Sequence, residues 1–347
     1  MTTNEQVSSR IAMLRFLMIF GIVLLHTPKN IPIELTGPGG FDFIKSLFQN
    51  VVFRTTVPVL TCISGYLLFS ANLDQHPIQM FKKKFKTLVI PFAVFNGGLF
   101  AVAYCIQAKT GKELSYDLIP FDAAIWGDAL LSLTSFPINY PLNFLRDLVV
   151  LVVMAPMFGI LLRSTPLTGL AVLWGFFMYN LDGWLVLRNN MPVMFYVGGM
   201  IALGKGNLFM LDKYAPMAFF VFVALSVTLV IFRVANTNYF GYVAPFLLWS
   251  AASLIVNKRI GKWMGKLSKY SFFIFIAHAP VLFATWVVYE KFAAYIPYPV
   301  YCITAPVFTT ALLIGMYQQA MKIAPRIFST AIGAKCPVKY AKLVKVA

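Results

Sequence analysis

The chain has 347 residues, 59% of them hydrophobic and only 12% charged, with a formal net charge of +17 and a mean hydropathy of +0.76. A soluble domain carries about twice that charged fraction, so the composition argues against a soluble dinucleotide-binding enzyme, a nucleic-acid-binding protein and a disordered chain. The length is better divided by the roughly 20 residues that a membrane-crossing helix needs. The expected fold class is therefore all-α: a polytopic integral membrane protein forming a single domain over residues 1–347. Four cysteines (Cys62, Cys105, Cys302, Cys336) stand far apart with no CxxC pair. With three histidines in the whole chain, neither a disulfide framework nor a metal site is expected.

Apolar runs bounded by charge or by Gly, Pro and Asn clusters predict ten spans, near 11–28, 50–70, 87–107, 144–163, 167–182, 188–204, 215–233, 240–256, 270–289 and 299–321. The first run is not a secretory signal: Arg15 interrupts it, and His26-Thr27-Pro28 offers no small-residue cleavage site. With the N-terminus inside, 19 of the 29 Lys and Arg fall in cytoplasmic segments and 7 in the opposite loops, leaving Arg15, Arg54 and Arg146 in or at the edge of spans. Basic residues beside a span resist translocation, so both termini are expected in the cytoplasm. The longest stretch between spans, roughly 108–143, is expected outside; it carries Glu113, Asp117, Asp122 and Asp128, and Trp126 with Leu130–Leu133 suggests an interfacial helix. No internal repeat is evident, which weakens a transporter built from inverted halves.

Ionisable groups within spans cost roughly 2.5–3.5 kcal/mol each near the bilayer centre, so each needs a reason. Arg15 and His26 are 11 residues apart in the first span, which places them about 20° from the same helix face and some 16 Å apart along it. A snorkelling arginine and an interfacial histidine are the bland alternative. The second span holds Arg54, then Pro58 and Ser64-Gly65-Tyr66; Pro58 frees a carbonyl that either lines a cavity or marks a kink, with Ser-Gly as a packing face. Next come Lys82, Lys83, Lys84 and Lys86, either a positive-inside anchor or a site for the phosphates of a soluble cofactor. Arg146 and Asp147 open the fourth span. Adjacent helix positions do not face each other, so each is expected to partner another helix. His278 lies midway along the ninth span, either functional or bonded to a neighbouring helix.

Taken in order, these residues resemble the bacterial membrane-bound acyltransferase-3 family over nearly the whole chain. Arg15 and His26 match its Arg, ten residues, His signature. Arg54 through Tyr66 is similar to its second-helix pattern, and Lys82 to Pro91 to its basic segment ending in proline. Phe144-Leu145-Arg146-Asp147-Leu148 and Ser271 to His278 resemble two later helices, although Asn143 stands where one branch often has Trp and the basic segment is all lysine. The resemblance implies a bacterial inner-membrane O-acetyltransferase that takes acetyl-CoA from the cytoplasm and modifies a surface polysaccharide such as O-antigen, as polymer or on its lipid carrier. On that reading His26 is the general base, and Arg15, Arg54, Lys83, Lys84 and Lys86 supply positive charge to the thioester oxyanion and the CoA phosphates. Ser64, Arg146, Asp147 and His278 remain as substrate-facing or structural residues, with neither metal nor nucleic acid expected. A transporter or flippase of a lipid-linked sugar is the alternative, with the membrane charges as its path.

Overall fold

The computed structural model describes residues 2–112, 115–204 and 206–336. Of the charges assigned above, Glu113, Lys205, Lys339, Lys342 and Lys345 lie outside the described residues. The fold is all-α, with no strand among the described residues. Its helices are α1 (Thr3–Leu25), α2 (Gly40–Ser46), α3 (Thr56–Ser70), α4 (Pro77–Lys84), α5 (Ile90–Thr110), α6 (Ala123–Leu131), α7 (Asn143–Ser164) and α8 (Pro166–Met178). They continue with α9 (Asn190–Leu203), α10 (Ala215–Ile231), α11 (Phe240–Ala251), α12 (Ser253–Val256), α13 (Arg259–Leu267), α14 (Ser271–Phe292), α15 (Tyr298–Ile323) and α16 (Pro325–Ala331).

Among the described residues, 7 helical segments are long and apolar enough to cross a membrane: Thr3–Leu25, Gly40–Ser70, Pro77–Thr110, Tyr140–Ser164, Met210–Ile231, Arg259–Phe292 and Tyr298–Ile323. Three shorter apolar helices, Pro166–Met178, Asn190–Leu203 and Phe240–Val256, occupy the places of the other expected spans. They fall short of the roughly 20 residues that a perpendicular crossing needs.

The chain folds into two compact units. One comprises Met1–Ser70, Met194–Phe275 and Val281–Ala311; the other comprises Ala71–Val193, Ile276–Pro280 and Leu312–Ala347. In the first unit α1 is a central helix, buried on all sides rather than along one stripe. Thr2 and Glu5 start it with a reciprocal cap, the Glu5 amide donating to Thr2 Oγ1 at 3.3 Å and the Thr2 amide to Glu5 Oε2 at 2.9 Å. Pro28 bars its continuation through Thr27, and the helix ends at Leu25 with His26 as its cap. The stretch Gly40–Ser70 is not one regular helix: a π-helical turn at Leu47–Val51 and a 3₁₀ turn at Val52–Thr55 separate α2 from α3. The break therefore lies before Pro58, which sits in the first turn of α3, where proline is tolerated. Two glycines bring α3 and α9 backbone to backbone. A Cβ at Gly65 would lie 2.1 Å from the Phe195 carbonyl oxygen, and one at Gly198 would lie 2.1 Å from that of Cys62, so the Ser-Gly packing face is real.

In the second unit α4, a π-helical turn at Phe85–Val89 and α5 form one continuous stretch. The 108–143 segment folds back on α5. Asn96 donates to the carbonyls of Ala129 and Leu130 at 2.9 and 2.8 Å and accepts from the Asn139 amide at 2.9 Å. The expected short helix is α6, and Trp126 packs edge-on against Phe100, Tyr104 and Phe121. Gly159 leaves room for an ion pair: Arg163 meets Asp74 at 2.5 Å, and a Cβ on Gly159 would lie 2.1 Å from that carboxylate.

Candidate active site

The site builds up from the end of α1. His26 is the cap residue, half-buried. Its surroundings are fixed by a polar side chain on the facing π-helical turn. Gln49, 1% exposed, donates through Nε2 to the Leu24 carbonyl at 3.0 Å and to the Thr27 carbonyl at 3.4 Å. These carbonyls flank His26, that of Leu24 also accepting from the Thr27 amide at 3.1 Å, so Gln49 holds the histidine's backbone from both sides. The chain beyond is pinned by Asn50, which donates to the Ile31 carbonyl at 2.9 Å, by Tyr298, whose hydroxyl donates to the Pro28 carbonyl at 2.6 Å, and by Lys45, which donates to the Lys29 carbonyl.

Lower on α1, Gly21 admits the ring of Phe53, to which a Cβ would come within 2.1 Å. The 3₁₀ turn carrying Arg54 therefore closes on α1 at the level of Gly21. By helix rise that level is about 9 Å from Arg15 and about 7.5 Å from His26. Arg15 and His26 share one face of α1 by helix geometry, a seam about three turns long. Phe53 sets the height of the turn carrying Arg54 between them, with Gly21 roughly 120–140° round the helix from both. Arg15 is half-buried and Arg54 exposed on the protein surface, and neither makes an ion pair or hydrogen bond with another described residue. Three other arginines in or beside the spans differ. Arg10 meets Asp212 at 2.6 Å, Arg146 meets Asp147 at 3.0 Å and Arg163 meets Asp74. Two guanidinium groups at membrane depth without a carboxylate partner are costly unless something else satisfies them.

The remaining sequence candidates have plainer surroundings. Ser64 donates to the Leu60 carbonyl of its own helix at 2.7 Å. Lys83 and Lys86 are exposed and Lys84 is half-buried; Lys83 and Lys84 end α4, and Lys86 lies in the π-helical turn. The expectation that Arg146 and Asp147 partner different helices is corrected: they pair with each other. They are the fourth and fifth residues of α7, and together they clamp two loops. Arg146 donates to the carbonyls of Ser132 at 3.0 Å, Trp184 at 2.9 Å and Leu185 at 2.5 Å, while Asp147 accepts from the amides of Leu187 and Arg188 at 3.1 Å each. His278 is 0% exposed, inside α14. Gln49, Lys45 and Tyr298 were not singled out from the sequence. Adjacent amides at Gln49-Asn50 in an otherwise apolar run were the available signal.

An acyltransferase domain matches residues 9–317, from the first turns of α1 to near the end of α15. The chain belongs to the acyltransferase-3 family. The match takes in Arg15, His26 and Arg54 together with both compact units. This family member is 29% identical to the succinoglycan biosynthesis protein ExoH of Rhizobium meliloti (strain 1021), over 97% of this chain and 95% of that one. No solved structure matches it. It is a multi-span membrane acyltransferase.

Proposed function

We propose that the protein transfers an acetyl group from cytoplasmic acetyl-CoA to a hydroxyl of a cell-surface polysaccharide, O-antigen or a similar glycan, carried as polymer or on a lipid. The observation that supports this most is the seam on α1: a histidine held from both sides at the helix end and, on the same face below it, Arg15, which like Arg54 of the neighbouring turn has no carboxylate partner among the described residues. The full-length likeness to a protein of succinoglycan biosynthesis supports a polysaccharide acceptor.

In this reading the acceptor hydroxyl oxygen attacks the thioester carbonyl carbon while His26 takes its proton. The C–S bond breaks, the acetyl ester forms, and the CoA thiolate leaves and is protonated. Negative charge develops on the carbonyl oxygen during attack, where a guanidinium without a competing carboxylate stabilises it. Arg15 and Arg54 are available for that. Lys83, Lys84 and Lys86 would hold the CoA phosphates. The distribution of basic residues puts both termini in the cytoplasm of a bacterial inner membrane and His26 at the outer end of α1, so donor and acceptor reach the seam from opposite sides.

The test is mass spectrometry of surface glycans from cells with and without this chain. A mass difference of one acetyl group per repeat, lost on deletion and restored by the gene, is the expected result. An unchanged glycan accompanied by altered export of a lipid-linked sugar would replace this reading with the transporter alternative.

A further inference from the structure

Beside His26 lies a group of side chains that the transfer chemistry above does not use. Lys29, three residues on, has its ammonium 5.4 Å from the ring centre of Trp286 and 5.5 Å from that of Tyr298. Lys45 approaches the same Tyr298 ring at 4.8 Å. The two cations thus share one aromatic ring and lie no more than about 10 Å apart, at a separation where like charges still repel appreciably. Neither makes an ion pair among the described residues. The nearest acid in sequence to Lys45, Asp42, lies against the backbone at Gly37 and Gly39; it acts on Lys45 electrostatically but forms no ion pair with it.

The rings continue as a cluster. Tyr289 stacks on Tyr301 at 4.3 Å, and Trp286 stands 5.3 and 5.4 Å from the two. Lysines and aromatic rings at a membrane surface often serve only as headgroup anchors, and two features here differ from that pattern. Lys45 is 8% exposed, enclosed by protein rather than reaching for lipid. Lys29 holds a left-handed backbone at φ 62°, a conformation that lysine seldom adopts and that tends to persist where the surroundings demand it.

We infer that Lys29, Lys45, Trp286 and Tyr298 form an acceptor subsite for an anionic group on the glycan, with the aromatic faces beneath the sugar ring and the two ammonium groups on its carboxylate or phosphate oxygens. The inference rests on the acyltransfer reading above and names the acceptor class for the same site: an acidic glycan. Because Lys29 follows His26 by three residues and its loop is pinned at Pro28, Lys29 and Ile31, an anion held here would place the neighbouring hydroxyls within the reach of that histidine. The anionic oxygens could belong to an acidic sugar or to the phosphate of a lipid carrier; the chemistry recognised is the same.

The test uses the full-length protein in nanodiscs of zwitterionic phosphatidylcholine with saturating acetyl-CoA. Three acceptors are compared: surface polysaccharide from cells lacking the chain, the same polysaccharide after its carboxylates are reduced to alcohols, and the lipid-linked oligosaccharide. Lys29→Asn removes the charge, and asparagine suits the left-handed backbone better than lysine does, so the fold should be unaffected. For wild type we expect an acceptor KM that rises with salt. For Lys29→Asn we expect a KM about tenfold higher and less sensitive to salt, since Lys45 keeps its charge, with kcat and the KM for acetyl-CoA within twofold. Lys45→Arg should retain most acceptor affinity and Lys45→Met should lose it. A defect seen only with the unreduced polysaccharide assigns the subsite to a sugar carboxylate, and one that persists on the lipid-linked acceptor assigns it to the carrier phosphate. If the wild type acetylates the polysaccharide while Lys29→Asn leaves the acceptor KM unchanged, the subsite is refuted and the acyltransfer reading stands. A Lys29→Asn effect that appears only when phosphatidylglycerol is added would make the lysines lipid anchors and refute it equally. If the wild type acetylates none of the three, the acyltransfer reading falls and the subsite with it.

Discussion

Arginine is used differently in the two compact units. In the second unit Arg146 and Arg163 each meet a carboxylate that is almost fully enclosed, the Asp147 side chain being 0% exposed and that of Asp74 2%. Both pairs also hold backbone: Arg146 and Asp147 collect carbonyls and amides from two loops, and Arg163 bonds the Gly159 carbonyl of its own helix. In the first unit Arg10 is likewise paired, with Asp212, but Arg15 and Arg54 have no such partner among the described residues, although both lie in stretches apolar enough to cross a membrane. A charge that is paired and wrapped in backbone bonds stabilises the fold it sits in. One that is kept in a span without a partner adds cost to folding, and the compensating gain must come from chemistry or ligand. The same residue type thus marks structure where it is paired, at Arg10, Arg146 and Arg163, and the proposed site at Arg15 and Arg54 of the first unit.

That contrast is broken most severely at Asp147. Replacing it with alanine leaves Arg146 half-enclosed without its counter-charge, a loss of about 3–5 kcal/mol. Unfolding in detergent should show it as a much lower midpoint, with activity falling only in proportion to folded protein. Arg54→Gln should do the reverse. Its unfolding midpoint should stay close to wild type, because no described partner is lost, while acetyl transfer falls about 10- to 100-fold, the worth of one charge-assisted hydrogen bond. If Arg54→Gln instead unfolds the protein at full specific activity, the contrast between the units is wrong. A smaller effect is expected from changing Lys83, Lys84 and Lys86 together to Gln. The apparent KM for acetyl-CoA should rise several-fold with kcat held, and an unchanged KM in correctly inserted protein would leave these lysines as topological anchors.

The smallest effect concerns Asp128, at the end of α6. Its surroundings desolvate it, which alone would raise its pKa, but hydrogen bonds from Thr134 and Ser135 outweigh that and hold the carboxyl below its ordinary value. A carboxylate lowered on folding stabilises above its unfolded pKa, and the gain is lost as pH falls through the folded value. Asp128→Asn should therefore cost less than about 1 kcal/mol at neutral pH, since the group is only half-buried and solvent screens it, and the difference from wild type should vanish in strong acid.

The all-α membrane fold and the order of its helices were legible in hydropathy alone, because burial of apolar runs in lipid dominates every other energy in such a chain. Arg15, His26 and Arg54 were legible as charges out of place. What the sequence hid was set by packing. The break in the second span follows from Phe53 closing on Gly21, a contact between residues 32 positions apart, and no local propensity at 47–55 announces it. Pro58 drew attention away from it, since a proline in mid-run looks like the kink itself. The Arg146–Asp147 pairing escaped because helix-face geometry treats neighbours as diverging, whereas both side chains here turn to the same loops, whose carbonyls and amides hold them side by side. Gln49 was hidden by its plain chemistry, an amide whose value lies only in the two carbonyls it meets.

The central claim is that the seam on α1 exists for chemistry rather than for folding, and His26→Ala tests it most directly. Alanine is a good helix former, and His26 is a half-buried cap whose neighbouring carbonyls are held by Gln49, so membrane insertion and the unfolding midpoint should match wild type. Glycan acetylation per unit of inserted protein should fall by a factor on the order of 10² to 10⁴, the usual range for a lost acid–base group. Acetylation at a near-normal rate would contradict the account and move the base elsewhere, with the buried His278 as the next position to change.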